Sequence, residues 1–159
     1  MFEKEKQTTG KLVAEYKDTV MNLARYLPYF EKKSGEKVMS YYVAENATES
    51  TMRIPIYDST LLSFVKDAEK TILINRNYDY VYRKYAMRTA TDELRMIERA
   101  TIREMEVFGA ILSKYIIRGR TRGRVWNEAV ENGVFYCLLS RMKEQIEFWD
   151  IPYRDLEES

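Results

Sequence analysis

The stretch VFYCLLSRMKEQIEFW, residues 134–149, decides the fold class of this chain. Its large apolar side chains recur at intervals of three or four residues, the spacing that places them on one face of an α-helix. They are Phe135, Leu138, Met142, Ile146 and Trp149. Asn132-Gly133 precedes the stretch, and glycine accepts the left-handed conformation that closes a helix. The pattern predicts a short helix over residues 125–132, a stop at Gly133, and a last helix that ends before Pro152.

Helical spacing also recurs upstream. It predicts a first helix over residues 8–27, stopped by Pro28, and a second over residues 58–74 that is capped by Asp58 or Ser59. A short aromatic segment follows at residues 78–86. Thr89-x-x-Asp92 and Thr101-x-x-Glu104 both have the form of a capping box. Residues 90–117 therefore form either one long helix or two.

The apolar positions of these segments predict which side chains are buried. In the first helix they are Leu12, Tyr16, Val20, Leu23 and Leu27. In the second helix they are Leu61, Leu62, Val65, Ala68 and Ile72. Before the glycine-rich basic segment they are Ile111, Leu112, Tyr115 and Ile116.

Two short runs between the first helices are typical of strands. VMSYYV at residues 38–43 and MRIPIY at residues 52–57 can pair as a hairpin around ENATES, with Pro55 on an edge strand. Six glycines and three prolines are too few for an all-β chain. We therefore expect a mainly α, single-domain bundle over residues 1–159, with about five or six helices and a small hairpin near residues 38–57. We expect residues 1–7 and 152–159 to be flexible.

Composition excludes several kinds of site. The chain has no histidine and one cysteine, which removes histidine bases, the usual zinc sites and cysteine-rich clusters. Phosphate-cradling loops of the GxxxxGK[ST] and GxGxxG kinds are absent. A Mg²⁺ held by carboxylates alone stays open. No apolar run is long enough for a membrane span, and the first residues do not form a signal peptide, so we expect a cytoplasmic protein without a cofactor.

The segment KYIIRGRTRGR, residues 114–124, has a charge pattern that folding alone does not require. Arginine forks suit phosphate and carboxylate oxygens. Residues 76–124 carry 12 basic and 6 acidic side chains, whereas residues 125–159 carry 3 and 8. The arginines can therefore bind an anion or pair with the acidic C-terminal segment. The candidate anion-binding or nucleic-acid-binding residues are Lys114, Arg118, Arg120, Arg122 and Arg124, extended by Arg95 and Arg99 on a helical face.

Residues 125–144 resemble a helix-turn-helix in the spacing of small, glycine and apolar positions. Phe135, Tyr136 and Cys137 would then occupy positions that read bases, where polar side chains are expected. Nearby glutamates would repel phosphates. An ordinary packed helical hairpin explains this pattern better.

Two stretches resemble a family of small uncharacterised bacterial proteins, a domain of unknown function. They are IPIYDSTLLSFVKDAEK at residues 54–70 and ILSKYIIRGRTRGRVWNEAVENGVFYCLLSRMKE at residues 111–144, together about a third of the chain. Tryptophans associated with the middle of that family are missing between Tyr78 and Arg88. The family has no established activity, so the resemblance implies a helical fold and no mechanism.

Together these observations predict a non-enzymatic accessory module that acts through a protein partner or as a homo-oligomer. The alternative is sequence-independent binding of nucleic acid through the basic segment. An exposed cluster of the arginines of residues 118–124 with Arg95 and Arg99 would favour the nucleic-acid-binding alternative. Pairing of those arginines with the acidic C-terminal segment would favour the accessory module.

Overall fold

The computed structural model describes residues 2–43 and 53–158, with side-chain surroundings for residues 8–40 and 56–150. Its α-helices are α1 Phe2–Ala24, α2 Leu27–Lys33, α3 Ser59–Glu69, α4 Tyr78–Lys84, α5 Ala90–Arg99, α6 Met105–Arg118, α7 Val125–Glu131 and α8 Val134–Glu158. A 3₁₀ turn, Ile102–Glu104, lies between α5 and α6. Strands β1 Met39–Val43 and β2 Arg53–Tyr57 form one hairpin between α2 and α3.

The mainly helical fold class is confirmed, with 73% of the residues in helices, but five or six helices was too low a number. The described residues form eight. Pro28 does not leave the chain irregular, because it occupies the first turn of α2, where proline needs no backbone donor. The capping box at Thr101 restarts the chain as a 3₁₀ turn and then α6, so residues 90–117 form two helices.

The last helix is longer than the sequence predicts. It continues past Pro152 to Glu158. Proline lacks a backbone N–H and its ring clashes with the carbonyl four residues earlier, which together cost a helix about 3 kcal/mol in stability. Its fixed φ, however, is compatible with a helix. A helix with good helix-forming residues on both sides of the proline can therefore continue. The flexibility expected for residues 1–7 and 152–159 stays a prediction.

The hairpin is confirmed. Its strands are antiparallel, with Met39 opposite Tyr57 and Tyr41 opposite Pro55. Both strands of a two-stranded sheet are edges, so Pro55 is placed where a missing donor is tolerated. The connecting ENATES sequence lies outside the described residues.

Helix α6 is the centre of the molecule, because it contacts α3, α4, α5, α7 and α8. The predicted buried residues of α6 are confirmed, and so are those of α8 from Phe135 to Ile146, whereas Trp149 is half-buried. Rings from α2, α3 and α8 meet beside α6. The Phe30, Phe64 and Phe135 centroids lie 4.8–5.5 Å apart, which is the spacing of favourable aromatic pairs.

The predicted face of α3 is partly wrong. Val65, like Leu61 and Ala68, is buried as expected, but Leu62 is 44% exposed and Ile72 is 58% exposed. Phe64 lies on the buried face in place of Leu62, and Ile72 follows the end of the helix. In α1, Val20 and Leu23 are buried as expected and Val13 joins them. The other three predicted residues, Leu12 and Tyr16 of α1 and Leu27 at the start of α2, are partly buried against the core.

A close backbone contact fixes where α4 begins. A Cβ at Gly109 of α6 would lie 2.6 Å from the carbonyl oxygen of Leu73, so only glycine permits this approach. Ser113 accepts a hydrogen bond from the backbone N–H of Asn75 at 2.7 Å. The chain that leads into α4 is therefore held against the middle of α6.

Candidate functional site

A cavity of about 510 Å³ lies between α4 and α6. Its cationic lining residues are Arg83 of α4, Arg88 after α4, and Lys114 and Arg118 of α6. Asp79 is its one acidic lining residue. We call this cavity the basic pocket. It offers mainly positive charge to a ligand.

Helical spacing places the charged residues of each wall on one side. Asp79, Tyr82 and Arg83 are related by steps of three and four residues on α4, and Lys114 and Arg118 lie four apart on α6. The Tyr82 side chain also packs in the core and is 8% exposed. The walls are thus built on two helices that pack directly against each other.

The turn after α4 carries a left-handed residue that is not glycine. Ala86 has a φ of +54°, a conformation that costs an L-residue about 1–2 kcal/mol. The Met87 N–H donates to the Tyr82 carbonyl at 2.9 Å, and the Ala86 N–H donates to the Arg83 carbonyl at 3.3 Å. This is the Schellman pattern that usually closes on glycine. It reverses the chain sharply enough to bring Arg88 to the pocket.

A buried carboxylate lies behind the pocket. Glu93 of α5 has no exposed surface. It accepts hydrogen bonds from the Tyr82 and Tyr115 hydroxyls, at 2.5 Å each, and from the Lys114 ammonium at 2.9 Å. A buried charge is tolerated when it is paired and hydrogen-bonded in this way. The Lys114 ammonium also lies 5.0 Å from the centroids of both tyrosine rings, so its position at the pocket wall is fixed.

The two tyrosines remain hydrogen-bond donors over the ordinary pH range. Burial is the main cause that raises the pKa of Tyr82, and the Glu93 carboxylate raises it further. Burial likewise raises the pKa of Tyr115, together with its hydrogen bond to Glu93. A phenolate beside a buried carboxylate would be strongly unfavourable. Glu93 is therefore kept with three donors around it.

The four pocket cations differ in their partners. Lys114 is paired with Glu93, while Arg118 donates to the Tyr78 hydroxyl at 3.2 Å and lies 3.9 Å from Asp79. The exposed guanidinium groups of Arg83 and Arg88 form no hydrogen bond or ion pair with another residue that the structure describes. Arg83 and Arg88 are therefore the two pocket cations without a described ion-pair partner.

The arginines that follow α6 in the basic segment, residues 114–124, have different surroundings. Arg120 pairs with Glu69 of α3 and lies over the Trp126 ring, 5.8 Å from its centroid. Arg122 and Arg124 are exposed. Trp126 is buried and donates to the Ile116 carbonyl at 3.4 Å. Of the predicted loop residues, the structure brings Lys114 and Arg118 together at the pocket.

Three acidic residues of α8 form ion pairs with basic residues of α8 or α1. Glu144 pairs with Arg141 at 2.7 Å, and Glu147 pairs with Lys143 at 3.3 Å. Asp150 pairs with a lysine of α1 at 3.1 Å. Among the side chains of residues 8–40 and 56–150, Arg118 and Arg120 pair with acidic residues of α4 and α3, namely Asp79 and Glu69.

Arg95 and Arg99 do not extend the basic pocket. Arg95 lines a separate depression between α5 and α8 and lies 3.9 Å from Asp92. Arg99 is exposed. The proposed base-reading position Phe135 lies in the aromatic core, which agrees with a packed helical hairpin.

The comparison with family models covers most of the chain. A model described as a family of unknown function, DUF6508, matches residues 16–148. The chain belongs to DUF6508. The resemblance to a domain of unknown function is therefore confirmed. No curated protein and no solved structure matches the chain. This membership assigns no activity, so the function of this DUF6508 protein has to be argued from its own geometry.

Two further properties of the described residues bear on the site. None of their helices has the length and apolar character needed to cross a membrane. Within residues 8–40 and 56–150, no three acidic or cysteine side chains are grouped so that they could hold a metal ion.

Three residues of the site, Arg83, Arg88 and Glu93, are not among the candidate binding residues derived from the sequence. Arg83 lies in a short aromatic segment whose charge did not stand out. Glu93 directly follows Asp92, the third residue of α5, which forms the capping box with Thr89. Its position four residues before the buried Ile97 was a usable signal, because a charge on an apolar helical face needs a partner.

Proposed function

We propose that this protein binds an anionic ligand in the basic pocket and does not catalyse a reaction. The observation that carries the proposal is the convergence of four cationic side chains on one cavity of about 510 Å³. Four positive charges there face two carboxylates, Asp79 and the buried Glu93. The volume falls in the usual range for small-ligand pockets, about 300–1,000 Å³.

The absence of catalysis is part of this proposal. Glu93 is surrounded by three donors behind the pocket wall, so it is poorly placed to take a proton from a ligand. The chain has no histidine to act as a base near neutral pH. The groups that remain supply positive charge and hydrogen bonds, which suit binding.

Isothermal titration calorimetry with inorganic pyrophosphate and with citrate at low salt tests the proposal. Replacing Arg83 and Arg88 together with glutamine should weaken binding at least about tenfold, because charge-assisted hydrogen bonds contribute about 1.5–3 kcal/mol each. The matched control replaces Arg76 and Arg99, two exposed arginines outside the pocket lining. If neither anion binds, or if both double variants bind like the parent, the proposal is wrong.

A second candidate is sequence-independent nucleic-acid binding along residues 114–124. It is supported by exposed Arg122, which continues the basic character from the pocket into the loop. Titration with DNA and RNA of increasing length at two salt concentrations tests it. Affinity should rise with length and fall with salt, and Arg122→Ala should lower the salt dependence by about one unit. Length-independent binding would contradict this candidate.

The accessory role predicted from the sequence is retained as a proposal for a bacterial cytoplasmic protein with a protein partner or a second copy. Its support is a set of large exposed apolar side chains, Ile72, Tyr80 and Phe148, which are 56–60% exposed. Light scattering at two protein concentrations tests self-association. A monomer at both concentrations would exclude the homo-oligomer.

A further inference from the structure

We infer that the ligand group held in the basic pocket is a dianionic phosphomonoester, not a phosphodiester or a carboxylate. This inference rests on the anion-binding function proposed above and specifies its ligand.

The charge balance of the pocket favours a group with two negative charges. Lys114 and Arg118 already have carboxylate partners. Arg83 and Arg88 have none among the described residues. A phosphomonoester carries about −1.5 to −2 at pH 7, whereas a phosphodiester or a carboxylate carries a single charge. The monoester therefore neutralises both uncommitted arginines.

The directions of the donors favour the same group. Arg83 approaches from α4, Arg88 from the turn after α4, and Lys114 and Arg118 from α6. A terminal phosphate presents three oxygens in different directions. A carboxylate presents two oxygens in one plane. Donors from three parts of the chain can thus be satisfied together by a phosphate end.

One side of the pocket is backed by the core of the protein. Tyr82 and Met87, which line it, are 8% and 4% exposed. A phosphodiester inside a nucleic-acid chain carries an organic group on two of its oxygens, so it offers two free oxygens where a terminal phosphate offers three. The cavity of about 510 Å³ also leaves room for an organic part beside the phosphate. That part belongs either to a small phosphorylated molecule or to the phosphorylated end of an oligonucleotide.

The experiment compares three ligands that share one ring: phenyl phosphate, methyl phenyl phosphate and benzoate. Titration calorimetry of the full chain at low salt and near pH 7 should give phenyl phosphate an affinity at least about tenfold above the other two. If the diester or benzoate binds equally well, the inference fails and anion binding stands. If neither these ligands nor pyrophosphate bind, both fail.

The pH dependence gives a second measurement. Only the dianion should bind well, so the affinity for phenyl phosphate should fall about tenfold between about pH 7 and pH 5, since the second phosphate pKa is about 6. The ionisable groups facing the site are Asp79, Tyr82 and Arg83 of α4, Arg88, Glu93 of α5, and Lys114, Tyr115 and Arg118 of α6. Protonation of the two carboxylates would strengthen anion binding. A fall in affinity therefore belongs to the ligand, and a constant or rising affinity overturns the inference.

Variants of the pocket arginines test whether phenyl phosphate binds in the basic pocket. The Arg83→Gln, Arg88→Gln double variant should lose most of the phenyl phosphate affinity, and the Arg76→Gln, Arg99→Gln control should keep it, with both shown to be folded by circular dichroism. Equal affinities of the two double variants would overturn the assignment to this pocket.

Ribose 5-phosphate is then compared with a trinucleotide that carries a 5′-phosphate or a 5′-hydroxyl. A phosphorylated trinucleotide that binds at least about tenfold more tightly than the sugar phosphate indicates an oligonucleotide end, and similar affinities indicate a small molecule. A 5′-hydroxyl trinucleotide that binds as well as the phosphorylated one contradicts the inference.

Discussion

Replacing Glu93 with glutamine tests whether a buried ion pair stabilises the basic pocket. The substitution keeps the shape of the side chain but leaves the Lys114 ammonium without its counter-charge at 2.9 Å. Breaking a buried pair by removing one partner costs about 3–5 kcal/mol. Because the Lys114 side chain is 17% exposed and can turn toward the pocket, we expect about 2–3 kcal/mol in the free energy of unfolding.

Removing the lysine of the pair should lower the free energy of unfolding more than removing the glutamate. Lys114→Met leaves a carboxylate with no exposed surface and only two tyrosine hydroxyls as donors. We expect about 3–5 kcal/mol, the upper range for an uncompensated buried charge. Combining Glu93→Gln with Lys114→Met removes both charges, so the double variant should be more stable than the sum of the single costs predicts. The coupling energy should be about 1–3 kcal/mol.

Urea denaturation followed by circular dichroism measures all four proteins of this cycle. The linear extrapolation gives each free energy of unfolding, provided that the m-values agree. Tyr82→Phe is the control, since it removes one donor and keeps the ion pair; it should cost about 1–2 kcal/mol. Additive single costs, with coupling below about 0.5 kcal/mol, would refute the argument that Lys114 neutralises Glu93.

Three other predictions follow from packing and titration. Leu138→Ala in the core should lower the free energy of unfolding by about 2–5 kcal/mol, whereas Leu62→Ala at a 44% exposed site should change the urea midpoint little. Equal effects of the two variants would contradict the burial of Leu138 on the core face of α8. Gly109→Ala should cost about 1–3 kcal/mol in thermal or urea unfolding, because its Cβ would collide with the Leu73 carbonyl, and an unchanged midpoint would contradict that close approach. The folded-state pKa of Tyr82 lies above its ordinary value of 10. The free energy of unfolding should therefore be unaffected by this group below about pH 10 and should fall at higher pH, where the tyrosine of the unfolded chain ionises first. Tyr82→Phe should reduce that fall in urea denaturation measured at rising pH.

The features that the sequence predicts well are encoded locally. The apolar stripe of α8 is visible because its period matches a helix, and the core residues Leu138 and Met142 are found from spacing alone. Both capping boxes, at Thr89 and Thr101, form as predicted because each depends on residues three positions apart. The hairpin pairs as predicted because two β-prone runs flank a polar linker.

The number of helices was predicted too low, because proline is found both after the end of a helix and in the first turn of the next one. Pro28 follows α1, as its reading as a helix stop predicts, but it also lies in the first turn of α2. Proline is excluded from a helix interior and accepted in a first turn. Which of the two applies depends on whether the following residues find a core to pack on, and Phe30 does so against Phe64 and Phe135.

The basic pocket is a tertiary feature, so sequence patterns reveal only part of it. Lys114 and Arg118 were candidates because they lie in a dense basic segment. Arg83 and Glu93 enter the site because α4 and α5 pack against α6, and no spacing rule connects them to Lys114. Sequence reasoning therefore identified the charged helix but not the cavity that its charges face.

The energetics of Glu93 and Lys114 link the stability of the fold to the pocket. A buried ion pair is often no more stabilising than apolar side chains of similar volume, so core packing alone does not account for charge at this position. The proposed anion-binding function does account for it, since the carboxylate behind Lys114 would then hold the ammonium toward the ligand. The Glu93→Gln, Lys114→Met double variant separates the two roles. It should recover much of the stability lost by either single variant while binding phenyl phosphate more weakly than the parent. If it binds as well as the parent, the pair serves the fold and not the ligand.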